Sequence, residues 1–106
     1  MEATLKAIAE PRRRHILSLV RDEELSAGQI AAHFEVTRPA VSQHLTVLKE
    51  AGLVSERRDG TRRLYRARPE GLVELQSYLE GFWAERLTAL KREAEQEERG
   101  RHGRHR

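Results

Sequence analysis

The chain has 106 residues, a net charge of +3 and no cysteine, which fits one small domain and excludes disulfides, thiolate metal sites and cysteine nucleophiles. No apolar run approaches the roughly 20 residues of a membrane span, and the N-terminus lacks a signal peptide's apolar core, so a cytoplasmic protein is expected. The charge is divided: residues 1–68 carry +4, residues 69–98 carry −5 and residues 99–106 carry +4.

In chain order, Leu5 and Ile8 begin a short amphipathic helix that ends near Pro11. Pro11 suits the first turn of a second helix carrying Ile16, Leu17 and Val20, since a missing N–H costs nothing there. Asp22-Glu23-Glu24 reads as a loop. A third helix takes its apolar face from Ile30, Ala31 and Phe34, and Glu35-Val36-Thr37 breaks it. Thr37 is an N-cap type, Pro39 falls in the next first turn, and Val41, Leu45 and Leu48 form a stripe at i, i+4 and i+7. Gly52 can end this fourth helix with positive φ. Leu53 to Arg68 alternates apolar and polar residues around Asp59-Gly60, a strong hairpin signal. From Pro69 to about Glu98 the pattern is helical again, and the Gly-, Arg- and His-rich residues 99–106 are expected to be a disordered tail. Four helices, a hairpin and a final helix predict a mainly α fold with a β-hairpin: a winged helix-turn-helix over residues 1–98.

Two helices joined by a short turn, followed by a basic hairpin, point to DNA. All but three of the 20 basic residues are arginine, the side chain best shaped for bidentate phosphate and guanine contacts. On 100° steps, Pro39, Ser42, Gln43 and Thr46 oppose the apolar stripe of the fourth helix, with Arg38 and Ala40 flanking them. Gln43 can pair with adenine, Ala40 or the Thr46 methyl can meet a thymine methyl, and Arg38 can take guanine or phosphate. Six arginines between Arg57 and Arg68 crowd the hairpin, and a polyanion would relieve their repulsion. The candidate DNA-binding residues are therefore Thr37, Arg38, Ala40, Ser42, Gln43, His44 and Thr46 on the helix, and Arg58, Arg62 and Arg63 on the hairpin. His44 fits a phosphate contact or a satisfied helix neighbour. Arg12, Arg13 and Arg14 read mainly as a solvated face with one structural ion pair.

The last helix places Leu72, Leu75, Leu79, Trp83, Leu87, Leu90 and Ala94 at steps of three and four, and Phe82 widens the stripe. It is longer than a small domain's own core can cover. The low apolar fraction of 38% points the same way. Pairing with a second copy is the expected use.

Three stretches together, AIAEPRRRHIL at 7–17, VSQHLTVLKEAGLVSERRDGTRRLYR at 41–66 and YLEGFWAERLTALK at 78–91, make residues 2–95 similar to the ArsR family of bacterial winged-helix repressors. That resemblance implies a homodimer formed by the first and last helices, adding Leu5 to the interface, and repression by blocking a promoter. Metal-sensing members carry cysteines on the first motif helix, or His and acidic ligands along the last. Here ELSAGQI at 24–30 has no thiol and residues 70–98 have no histidine, so the resemblance is to the non-metal, autorepressor-like subgroup, with no cofactor and an unassigned inducer. No Ser/His/Asp grouping or Gly-rich phosphate loop supports an enzyme.

The expected function is a dimeric, sequence-specific repressor on an inverted-repeat operator in double-stranded DNA. The alternatives are an architectural protein that coats DNA without reading bases, a protein-binding winged helix and a metal-dependent regulator. Gln43, Ser42 and Arg38 argue against the first, the basic hairpin against the second and the missing ligands against the third.

Overall fold

A computed structural model describes residues 1–104, with side chains through residue 98. Its elements are α1 (Glu2–Ala9), α2 (Pro11–Leu19), β1 (Leu25–Ser26), α3 (Ala27–Ala31), α4 (Arg38–Glu50), β2 (Val54–Asp59), β3 (Arg62–Ala67) and α5 (Pro69–Arg104). Met1–Leu75 and Gln76–Arg106 form two compact units.

Local chemistry sets most boundaries of the first unit. Glu10 separates α1 from α2 and accepts the backbone N–H groups of Arg12 and Arg13 at 2.7 and 3.2 Å, a side-chain cap ahead of Pro11. The carbonyls at the end of α1 find guanidinium donors on α2. Arg13 donates to Ala7 and Lys6, and Arg14 to Ile8 and Ala9. Arg12 and Arg14 are exposed, as expected of a solvated face, but in place of the expected ion pair Arg13 and Arg14 close a helix end.

Ser26 and Gln29 form a reciprocal capping box that starts α3. The helix stops at Ala31, and Phe34 lies beyond it rather than on its face. The connection is therefore Ala32 to Thr37, not the three residues expected. Tight three-residue bonds, His33 N–H to Ile30 O and Phe34 N–H to Ala31 O, carry the chain round and leave Phe34 half-buried against the core.

The start of α4 is as read: the Thr37 hydroxyl accepts the Ala40 N–H at 3.3 Å, with Pro39 in the first turn. At its end, Leu53 N–H reaches Leu48 O and Gly52 N–H reaches Lys49 O, with Gly52 at φ 77°. This is a Schellman motif, and its apolar pair, Leu48 and Leu53, is fully buried. The Gly52 carbonyl accepts from the Arg68 side chain at 3.0 Å. A Cβ on Gly71 would collide with that same carbonyl, so only glycine fits there.

The sheet has three antiparallel strands in the order β1-β3-β2. The hairpin was expected but β1 was not: two residues, Leu25 and Ser26 opposite Tyr65 and Leu64, are too short to show a period of two. The hairpin loop is Gly60-Thr61, one residue later than Asp59-Gly60, because Asp59 still pairs with Arg62. Positive φ at Gly60 alone matches a II′-type turn. Ile16, Val20, Ile30, Val41, Leu45 and Leu48 make the centre of the core, each contributing about 1.5–3 kcal/mol by leaving water.

The second unit belongs to α5, whose helical backbone continues to Arg104, past the expected end near Glu98; residues 105 and 106 of the expected tail lie outside the described residues. In the chain taken alone, Phe82, Trp83, Leu87 and Leu90 are 54–61% exposed and Leu79 is 39% exposed. The Phe82 and Trp83 rings meet edge to face, with centroids 6.4 Å apart.

Candidate nucleic-acid interface

Val41, Leu45 and Leu48 turn into the core, so the opposite side of α4 is the side it presents. Arg38, Ser42, Gln43 and Thr46 are exposed there, with Ala40 and His44 half-buried at its edges. Thr37 is also exposed, its hydroxyl committed to the cap. The Thr46 hydroxyl donates to the Ser42 carbonyl at 3.0 Å, which leaves its methyl as the group available for an apolar contact.

Between α4 and the hairpin lies a groove of about 720 Å³. Arg38, Ser42, Thr46 and Lys49 line it from the helix, and Arg62 and Arg63 from the hairpin. Five of the ten expected DNA-binding residues thus surround one concavity. Gln43 and His44 line a separate hollow of about 450 Å³, shared with Ser42, Thr46 and Arg13. Thr37, Ala40 and Arg58 line neither. Arg58 sits exposed on β2 directly opposite Arg63, and two like charges so placed repel each other unless an anion intervenes.

The hairpin arginines are not all equally available. Arg57 is held by Glu24 through two bonds of 2.8 and 2.6 Å. The hydrogen bond from Arg57, outweighing desolvation, keeps the Glu24 carboxyl below its ordinary pKa, and Glu24 raises that of Arg57. Arg62 donates to the Gln29 carbonyl oxygen at 3.2 Å, tying the hairpin to α3. Glu56 lies within the groove and takes Lys49 at 3.2 Å and Arg63 at 3.6 Å. Its closeness also adds to the raised pKa of the Tyr65 hydroxyl, which burial chiefly causes. The groove is therefore basic but carries its own counter-charge. These pairs keep their cationic ends exposed, and pairs open to solvent add about 0–1 kcal/mol each to stability, little enough for a phosphate to displace them.

Sequence reasoning missed Gln29, Lys49 and Glu24. The capping pair Ser26…Gln29 was visible in the spacing. Glu24, 33 residues from Arg57, left no such signal. Among the described residues no cluster of three or more His, Cys, Asp or Glu could hold a metal ion, and no helix is long and apolar enough to cross a membrane.

Comparison with known proteins agrees with this geometry. Residues 10–56 match the bacterial regulatory protein, arsR family, model. The chain is 46% identical over 83 residues to the HTH-type transcriptional regulator Rv2034 of Mycobacterium tuberculosis, covering 78% of each protein. It is 43% identical over 60 residues to the transcriptional repressor SdpR of Bacillus subtilis, covering 57% of this chain and 67% of that one. Among solved structures it resembles the homodimeric winged helix-turn-helix DNA-binding domain of Mb0332 from Mycobacterium bovis, a possible ArsR-family transcriptional regulator. The TM-score is 0.64 at 33% identity, over 79% of this chain and 78% of that one. The relatives are regulators, not enzymes, and the fold is theirs: the chain belongs to the ArsR family of DNA-binding bacterial regulatory proteins.

Proposed function

We propose that the chain is a homodimeric transcriptional repressor that reads an inverted-repeat operator and needs no metal to do so. One observation carries the reading: Arg38, Ser42 and Thr46 of α4 share a basic groove with Arg62 and Arg63 of the hairpin. A helix whose N-terminal half enters the major groove would bring Arg38, Ala40, Ser42, Gln43 and Thr46 to base edges, while Arg58, Arg62 and Arg63 meet phosphates or the adjoining minor groove. Thr37 and His44 flank the helix as phosphate contacts.

Pairing is supported by the exposed α5 residues Leu79, Phe82, Trp83, Leu87 and Leu90, and by the homodimeric state of the Mb0332 domain. Leu5, Leu72 and Leu75 extend the proposed interface; all three are half-buried in the single chain, so they have less surface left to give. Residues 1–98 act together as the DNA-binding and dimerising part, with residues 99–106 a basic extension. Repression follows the reading of SdpR as a repressor. Metal independence rests on a chain without cysteine and a last helix without histidine over residues 70–98.

Selection of bound fragments from random DNA, then footprinting against excess competitor, tests the reading. The expected result is one discrete inverted repeat with half-sites about one helical turn apart, its affinity unchanged by added zinc or nickel. Uniform coating without a footprint would replace it with the architectural reading.

A further inference from the structure

The hollow beside Gln43 contains a contact that DNA binding alone does not explain. Arg13 Nη1 lies 3.3 Å from His44 Nδ1, joining α2 to the recognition helix. The guanidinium cannot swing away easily, because Nε donates to the Ala7 carbonyl at 2.6 Å and Nη2 to the Lys6 carbonyl at 3.1 Å. Two fixed bonds aim the third edge of the group at the imidazole.

A guanidinium has donors only and keeps its charge. Nδ1 of His44 must therefore supply a lone pair, and in the neutral ring the single proton must sit on Nε2. Arg12 and Glu10 are the other charged groups near this ring: Arg12 borders a small hollow with it, and Glu10 lies close enough to interact with it electrostatically. Among the described residues the one side-chain hydrogen bond of His44 is at Nδ1, and Nε2 makes none. The ring lines a hollow of about 450 Å³ with Ser42, Gln43 and Thr46, residues of the side of α4 assigned to DNA.

The geometry points to Arg13 as a positioning residue: it holds His44 as a neutral Nε2–H donor for a DNA backbone phosphate next to the Gln43 contact. This rests on the reading that α4 faces DNA, but the state of the imidazole can be read without DNA.

Long-range proton–nitrogen NMR correlation on the free protein, at slightly alkaline pH, reports which ring nitrogen carries the proton. Nε2–H is expected in the wild type, and Arg13→Met should let the other tautomer appear. Because that variant also loses the α1 carbonyl bonds, the wild-type spectrum decides alone: a predominant Nδ1–H form overturns the assignment whatever DNA does. Fluorescence anisotropy with specific and scrambled duplexes then tests the donor. His44→Gln places an amide N–H near the Nε2 position and should bind within about three-fold of wild type. His44→Ala and His44→Asn should bind both duplexes about ten-fold more weakly. The salt dependence should stay unchanged in all three, since a neutral donor releases no counterion. Equal losses for the Gln and Ala variants, or a flattened salt slope, would refute a neutral Nε2–H contact. If Gln43→Ala also leaves specific binding intact, the reading of α4 itself fails, a separate result from failure at His44.

Discussion

The two units of the chain treat the same kind of residue in opposite ways. In Met1–Leu75, Ile16, Val20, Ile30, Leu45, Leu48 and Leu53 are fully or almost fully buried, each covered by the chain's own helices and sheet. In Gln76–Arg106, Phe82, Trp83, Leu87 and Leu90 are more than half exposed, and a single α-helix has no other layer to cover them. A stripe along one helix is thus only half of a core. The same heptad-like spacing that buries Val41, Leu45 and Leu48 in α4 leaves the α5 stripe exposed in the single chain.

The sharpest way to break that contrast is to charge the exposed stripe. Covering Leu79, Trp83 and Leu87 in both copies would contribute of order 10 kcal/mol before ordering costs. Trp83→Glu or Leu87→Glu should therefore give monomers by sedimentation, with weak operator binding, while the first unit keeps its fold. A wild type that sediments as a monomer at micromolar concentration would show that the stripe has another use.

Next in size is the reciprocal change in the covered core. Leu45→Ala should destabilise the protein by about 2–5 kcal/mol, read from the urea midpoint, and should affect DNA binding only through the fraction folded. Were this variant to dissociate the dimer without unfolding, the division between the two units would be drawn in the wrong place.

Within the first unit the proposed DNA face has its own two parts. Gln43→Ala should cost about 1–3 kcal/mol on the true site and little on random DNA. Arg62→Ala should weaken both and flatten the log–log salt slope by about one per lost contact. Its measured loss should include the bond to Gln29. Equal effects of the two changes on both DNAs would remove base reading from α4.

The smallest expected effect is on pH dependence. Glu24 has its folded-state pKa lowered, mainly by the Arg57 hydrogen bond. Its contribution is present above the unfolded-state value and is lost as pH falls through the folded one. Denaturant midpoints of wild type and Glu24→Gln should differ slightly at neutral pH and converge in acid. A gap that widens in acid would contradict the sign.

Much of this was legible in the sequence because it is local. Thr37, Pro39 and Gly52 mark both ends of α4, and Val41, Leu45 and Leu48 mark its buried side, within one stretch of chain. The hairpin to within one residue, the exposed side of α4 and the α5 stripe follow from the same short-range periods. The candidate site was legible only in part: Arg38, Ser42, Thr46, Arg62 and Arg63 meet as a groove, while Gln43 and His44 fall on its other flank.

What the tertiary structure alone decided depends on residues far apart in the chain. β1 exists because Leu25 and Ser26 meet β3, a pairing with no periodic trace in two residues. Arg57 is spent on Glu24, and Arg63 and Lys49 on Glu56, so equal arginines acquire unequal freedom. Arg13, one of three identical neighbours in sequence, becomes the link between the end of α1 and His44. Periodicity and capping reach about one helical turn along the chain and so can be read from it. Partner choice among like charges is set by which groups folding brings within hydrogen-bond distance, and that is a property of the packed molecule.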